Sequence, residues 1–152
     1  FGIGGTEIRR WAPGGDLHVR VHTAAHKLRE QGIAPTHILW HQGEADSVPA
    51  TATSREVYIA AFGELVKSLR EYGLEAPIYP AVATICANQG SKKIREAQRS
   101  LPAMYTGVYP GPDTDKIIGK RFRHDDCHFT HVGIQAHADL WLKSIQAGEG
   151  SI

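Results

Sequence analysis

Two short segments concentrate the side chains that can do chemistry. The first, Trp40-His41-Gln42-Gly43-Glu44-Ala45-Asp46, sets several polar groups around one glycine, directly behind the mostly apolar run 36–40. Gly43 permits a tight turn, which could present the Gln42 amide as a hydrogen-bond donor at a sheet edge, where a donor suits an oxyanion. The same residues also suit a structural use, with Glu44 and Asp46 capping the following turn and Gln42 in water. The second segment is Asp125-Asp126-Cys127-His128, followed by Phe129-Thr130-His131-Val132-Gly133. In a tight turn, residues three apart can face the same way, so Asp125 could accept a hydrogen bond from one His128 nitrogen and leave the other as a base. That is the orienter and base of a hydrolytic triad. A bland alternative is an acidic loop entering a helix, with Asp126 and Thr130 serving its N-terminus.

The elements that must position these residues can be read from apolar spacing. After Pro13-Gly14-Gly15, Asp16 is expected to cap a helix whose Leu17, Val21, Ala24 and Leu28 share a face and which ends at Gly32. Residues 36–40 fit a strand. Thr53-x-x-Glu56 has the capping-box pattern ahead of a helix carrying Tyr58, Ala61, Phe62, Leu65 and Leu69, stopped at Gly73. Residues 77–83 read as the next strand, 91–101 as a helix with Ile94, Ala97 and Leu101 inward, and 104–109 as a further strand. The charged loop 111–128 is long enough to suggest function. The last helix, capped by Thr130, is expected to bury Ile134, Ala138, Trp141, Leu142 and Ile145. Strands alternating with helices predict an α/β domain spanning 1–152, with a parallel sheet covered on both faces and its working residues at the carboxyl ends of the strands.

Composition narrows the partners. Seventeen Lys and Arg against sixteen Asp and Glu give a net charge of +1, without the basic excess that nucleic acid or an anionic membrane would call for. No run approaches the roughly 20 apolar residues of a membrane helix. Cys86 and Cys127 do not make a disulfide framework or a thiolate zinc site, and Cys127 reads as a buried small residue. His18, His22 and His26 line one side of the first helix, where a zinc site can be imagined; a solvated polar face accounts for them better. Lys120, Arg121 and Arg123 could meet an acidic sugar or simply be solvated.

Taken in order, Gly4-Gly5-Thr6-Glu7-Ile8-x-x-Trp11, then Trp40-x-Gln42-Gly43-Glu44-x-Asp46, then Asp125-x-x-His128 resemble the carbohydrate esterases of the SGNH-hydrolase superfamily. The branch closest in motif contains sialate O-acetylesterases and acetylxylan esterases. The resemblance implies a three-layer α/β/α sandwich with a flavodoxin-like parallel sheet, acting on acetylated carbohydrate without metal or other cofactor. It makes His128 the general base and Asp125 its orienter. It places Gln42 and a backbone N–H of Gly4 or Gly5 at the oxyanion. Trp11, Glu44 and Arg123 are carried over as candidate substrate contacts.

The sequence departs from that pattern in one respect. These enzymes take a nucleophilic serine from a Gly-flanked turn after the first strand, and none of Ser47, Ser54, Ser68, Ser91, Ser100, Ser144 and Ser151 sits in such a turn. The expectation is that the first strand and its serine lie upstream of Phe1, and that an N-terminal segment or a second chain completes the sheet. The alternative is a pseudo-esterase that binds carbohydrate without cleaving it.

Overall fold

The computed structural model describes residues 2–51 and 53–150. A short helix, α1 (Ile8–Trp11), precedes α2 (His18–Glu30), strand β1 (Ile38–Trp40), the one-turn α3 (Glu44–Ser47), α4 (Arg55–Glu71), strand β2 (Ile78–Pro80), α5 (Lys92–Met104) and α6 (His131–Glu149). Strands β1 and β2 are parallel, with Ile38 opposite Ile78 and Trp40 opposite Pro80. On the far side of β2, Ile78 also pairs with Val108 and Val82 with Asp113. The ladder is interrupted between these bridges because Pro80 has no N–H to give. Gly111 lies against that gap, where a Cβ would come within 2.2 Å of the Pro80 carbonyl oxygen.

Side-chain alternation along the strands builds the layers. Ile38, Trp40 and Ile78 face a core shared with α1, α2, α4 and α5, in which Tyr58, Phe62, Leu65, Ile94, Ala97 and Leu101 are buried. Tyr79, Ala81 and Ala83 face the other way and pack under Trp141 of α6. The architecture is therefore α/β, with helices on both faces of a parallel sheet, as the alternation of elements predicts. No described helix is long and apolar enough to cross a membrane.

Several local expectations need correction. Ser54, not Thr53, caps α4, its hydroxyl accepting from Val57 N at 3.2 Å. The Thr53 hydroxyl instead donates to the Asp46 carboxylate at 2.7 Å, because the turn before α4 packs onto a buried charge. Asp16 does not cap α2; Leu17 holds that position, and Asp16 pairs with Arg10 at 2.7 and 2.9 Å. His18 leaves the solvated face: its ring nitrogens lie 2.8 Å from the Trp11 carbonyl and 2.9 Å from the Tyr72 hydroxyl. Residues 104–109 form no strand, only the bridge at Val108, since α5 runs on to Met104.

The largest correction concerns α6. Thr130 caps it as expected, accepting from Gly133 N at 3.1 Å. Of the anticipated stripe, however, only Trp141 is buried, while Ile134 and Leu142 are 56% and 55% exposed. Among the described residues β1 pairs with β2 alone, leaving its other edge open. Leu39, on the α6 side of that edge strand, is 47% exposed.

The two residues ahead of α4 are separable by substitution. Ser54→Ala should cost about 1 kcal/mol, the ordinary worth of an N-cap. Thr53→Ala, which removes a donor from a buried carboxylate, should cost about 2 kcal/mol. Urea unfolding of both variants checks the order, and a Thr53→Ala loss no larger than that of Ser54→Ala would count against a stabilising Thr53–Asp46 bond.

Candidate active site

The loop carrying Asp125 and His128 is a hairpin closed at its base. Arg123 and Phe129 form an antiparallel bridge, and His124 N donates to His128 O at 3.0 Å. Inside it Asp125 folds the backbone around its own side chain. Asp125 Oδ1 accepts from the N–H groups of Cys127 at 3.0 Å and His128 at 2.6 Å. Oδ2 is thereby turned to His128 Nδ1, 2.7 Å away. The hydrogen bond from His128, reinforced by its backbone N–H, holds the Asp125 carboxyl well below the usual carboxylate range. His128 is 73% exposed along its side chain, so Nε2 is left open to solvent. The structure thus brings together the two residues assigned as base and orienter.

Arg123 behaves differently from its assignment as a substrate contact. It is buried, with Nε donating to Ile117 O at 2.7 Å and Nη2 to Thr114 O at 3.1 Å. Nη1 bonds the carbonyls of Ile85 and Cys127, and the guanidinium lies 4.3 Å above the Phe129 ring. Burial pushes its pKa down while the charges of Glu44, Asp115 and Asp125 support it. A planar fork with five donors can gather carbonyls from several segments, and Arg123 does so behind the hairpin. Lys120 pairs at the surface with Asp126, 2.8 Å away.

Cys127 is bonded to Cys86, which corrects its reading as a merely packed small residue. The bond joins the hairpin to the turn that follows β2. There Cys86 and Gln89 form their own small bridge, and Asn88 N reaches Asp126 O at 3.3 Å. A lone pair of cysteines 41 positions apart has no spacing signature, so only proximity in the fold reveals it.

The segment behind β1 is organised by Asp46, a motif residue whose spacing suggests only a turn cap. It is buried and accepts from Ile8 N at 2.9 Å, from Thr53 Oγ1 and from Gln42 Nε2. Burial pushes its carboxyl up, against the pull of those donors. Gln42 is buried too, and its amide donates to Thr6 O at 2.8 Å as well as to Asp46. Its own carbonyl accepts from the hydroxyl of Tyr58, a phenol that burial pushes to a higher pKa. Gly43 adopts a φ of +148°, and a Cβ there would lie 2.4 Å from Ala83 O. Gly4 and Gly5 form an exposed turn, tied to Gln42 through Thr6.

Trp11 is a core residue rather than the wall of a sugar subsite. It is buried edge-on against Trp40, and its Nε1 donates to Thr6 Oγ1 at 2.9 Å. Glu44 lies half-buried, 3.3 Å from His41 Nε2. Burial alone would raise its carboxyl, but His41, its own backbone N–H and Arg123 bring it below the usual value. His41 Nδ1 is 3.0 Å from His137 Nε2, which also accepts from Trp141 Nε1. Burial and the charges of His41 and Arg123 push His137 down to about 4. The His41, Phe129 and His137 rings lie within 4.8 to 6.3 Å of one another, joining the two site segments. Sequence spacing gives no sign of the His41–His137 pair, because the two meet only through tertiary packing.

No described serine hydrogen-bonds to His128. Ser47 donates to Gly43 O at 2.7 Å, Ser68 pairs with His18, Ser100 donates to Ala97 O, and Ser54 and Ser91 cap helices. Ser151 lies outside the described residues.

A family model described as carbohydrate esterase, sialic acid-specific acetylesterase, matches residues 1–141. No curated protein sequence gives a match. Among solved structures, the X-ray structure of an Arabidopsis thaliana protein is similar, with a TM-score of 0.74 and 28% identity. The match covers 97% of this chain but 58% of the Arabidopsis chain.

Two measurements probe the hairpin. A depressed folded-state pKa means that the Asp125 contacts stabilise the fold above the ordinary carboxylate pKa of about 3.9. That contribution is lost as pH falls through the folded value. In carbon-13 NMR the Asp125 carboxyl should therefore titrate well below about 3.9, and His128→Ala should move its midpoint upward. Separately, reducing Cys86–Cys127 should lower stability to denaturant by about 2 to 4 kcal/mol, from the loop it releases in the unfolded chain.

Proposed function

The chain belongs to the sialic acid-specific acetylesterase family of carbohydrate esterases, and we propose that it carries the base half of an acetylesterase site. The observation that supports this most is the Asp125–His128 pair. An imidazole fixed by a carboxylate at 2.7 Å, with its other nitrogen open to solvent, is arranged to take a proton from an approaching hydroxyl. A serine attacks the acetyl carbonyl, His128 removes its proton and returns it to the departing sugar hydroxyl, and Asp125 keeps the tautomer with Nδ1–H. Hydrolysis of the acetyl-enzyme repeats the cycle with water.

The serine is assigned to a segment outside residues 1–152, whose strand adds to the open edge of β1. Exposed Leu39 on that edge strand, with Ile134 and Leu142 exposed on α6, favours an added strand and its covering chain. The partner in this role is an N-terminal segment or, failing that, a second chain. Backbone N–H groups of the Gly4-Gly5 turn are the assigned oxyanion donors. Gln42 would join them by exchanging Thr6 O for the oxyanion, each donor contributing roughly 3 to 4 kcal/mol to the transition state. The substrate is an O-acetylated carbohydrate, of sialate or xylan type. Trp11 and Arg123 take no direct part in holding it.

The test uses a chain extended upstream of Phe1. It should hydrolyse an aryl acetate and label with a serine-directed fluorophosphonate, and His128→Ala should lower kcat/KM by at least about 10³-fold. Undiminished activity in that variant would remove His128 from the base role. An extended chain that binds acetylated sugar but neither labels nor turns over would favour the pseudo-esterase.

A further inference from the structure

The Asp125 carboxylate faces a second imidazole that the proposed reaction does not use. His124 and His128 sit opposite each other across the mouth of the hairpin, joined by the bond from His124 N to His128 O. Their rings are nearly parallel, with 18° between planes and 6.0 Å between centroids. Each turns Nδ1 toward the same oxygen, Asp125 Oδ2, at 3.9 Å from His124 and 2.7 Å from His128. One donor atom from each of the three residues lies within 4.8 Å of the others, and all three side chains are exposed. Two imidazoles and a carboxylate, free of steric cover, form a donor set that late first-row divalent cations prefer.

We propose that His124, Asp125 and His128 form a binding site for a zinc-class divalent cation. Preorganisation is the argument that separates this cluster from a chance group of surface side chains. Asp125 Oδ1 is pinned by two backbone N–H groups, so Oδ2 is already aimed between the rings. The backbone beneath is closed by the Arg123–Phe129 bridge, the Cys86–Cys127 bond and the Arg123 contact to Cys127 O. Metal–nitrogen and metal–oxygen bonds of about 2.0 to 2.2 Å draw donor atoms closer than they now lie. The exposed imidazoles can close that distance by side-chain rotation alone.

The ion takes the Nδ1 lone pair of His128, so the proton that Nδ1 otherwise donates to Asp125 passes by exchange with solvent to Nε2 and the imidazole stays neutral. Metal and orienting hydrogen bond exclude each other. On the acetylesterase reading the ion therefore inhibits, because it removes the contact that fixes the base; this consequence rests on that reading, while binding itself does not.

A competing pair lies on α2, where the tilted His22 and His26 rings are 6.2 Å apart and His26 is 3.3 Å from Glu30. The experiment titrates residues 1–152 with zinc chloride by calorimetry, comparing the unsubstituted sequence with His124→Ala and His26→Ala. One saturable site is expected. Losing an outer-shell partner of a metal already costs 10- to 100-fold in affinity, so losing the ligand His124 should weaken binding by at least about tenfold. His26→Ala should leave it unchanged. In nitrogen-15 NMR the Nδ1 resonances of His124 and His128 should both shift on binding, which keeps the test valid even if His124→Ala folds poorly. No saturable binding, affinity unchanged by His124→Ala with both resonances unmoved, or loss of the site in His26→Ala would each overturn the proposal. In the upstream-extended chain, zinc that binds at His124 without slowing aryl acetate hydrolysis would uphold the site and count against His128 as the base.

Discussion

A carboxylate taken out of water must be met by donors, and Asp46 gathers three of them from parts of the chain that would otherwise be independent. Ile8 N belongs to the first turn of α1, where an N–H has no helical partner. Thr53 stands at the entrance to α4, and Gln42 at the exit of β1. One buried oxygen pair therefore fixes the glycine turn, the strand end and the helix start relative to one another. The network continues through the Gln42 carbonyl, which accepts from Tyr58 and from Gln98 Nε2 at 2.9 Å, while Gln98 Oε1 accepts from Ala83 N. That carries the constraint to the end of β2. Gly43 is the only residue type that lets this network close, since any side chain there would displace Gln98 and Ala83.

The same device recurs twice with less burial. Asp115 accepts from Thr84 N at 2.7 Å, Ile85 N at 3.1 Å and Arg95 Nε at 2.9 Å, anchoring the chain beyond β2 to the long loop. Asp125 does it at the surface, around its own turn. From Asp46 to Asp125 the carboxylates pass from wholly structural to chemically available, in step with their exposure. Arg123 joins the last two, spanning carbonyls on both sides of the hairpin while its charge is shared by Glu44, Asp115 and Asp125. The candidate base is thus exposed, but the backbone beneath it is held by a buried cation, a disulfide and a bridge.

What the sequence disclosed follows the range of the interactions involved. The 3.6-residue stripes of α4 and α5 and the cap at Thr130 are local, and they were legible. So was the Asp125–His128 contact, because both partners lie within one turn. The Cys86–Cys127 bond and the meeting of His41 with His137 join positions 41 and 96 apart, and the inward Arg123 gathers carbonyls from up to 38 positions away, so no spacing encodes them. Trp11 and Asp46 illustrate a subtler failure. Both were recognised as motif residues, but a motif reports that a residue is constrained and not whether substrate or packing imposes the constraint. Burial decides that, and for both it decides for packing.

The misjudged face of α6 carries the most structural meaning. Its apolar spacing is sound as a statement about what the helix can bury: Ile134, Leu142 and Trp141 lie where a sheet-covering helix should place them. Only Trp141 has a strand beneath it, since the described sheet ends at β1. An edge strand with an exposed leucine, next to a helix with exposed isoleucine and leucine, is a surface that proteins ordinarily cover, because unpaired strand edges recruit other chains. A further strand on that edge would extend the sheet face that α6 covers. Its carboxyl end would then open at the same end of the sheet as Gln42, the level at which such folds gather their reactive groups. On the acetylesterase reading, a strand added where α6 is uncovered would also bring its carboxyl end, and a nucleophile carried there, toward His128.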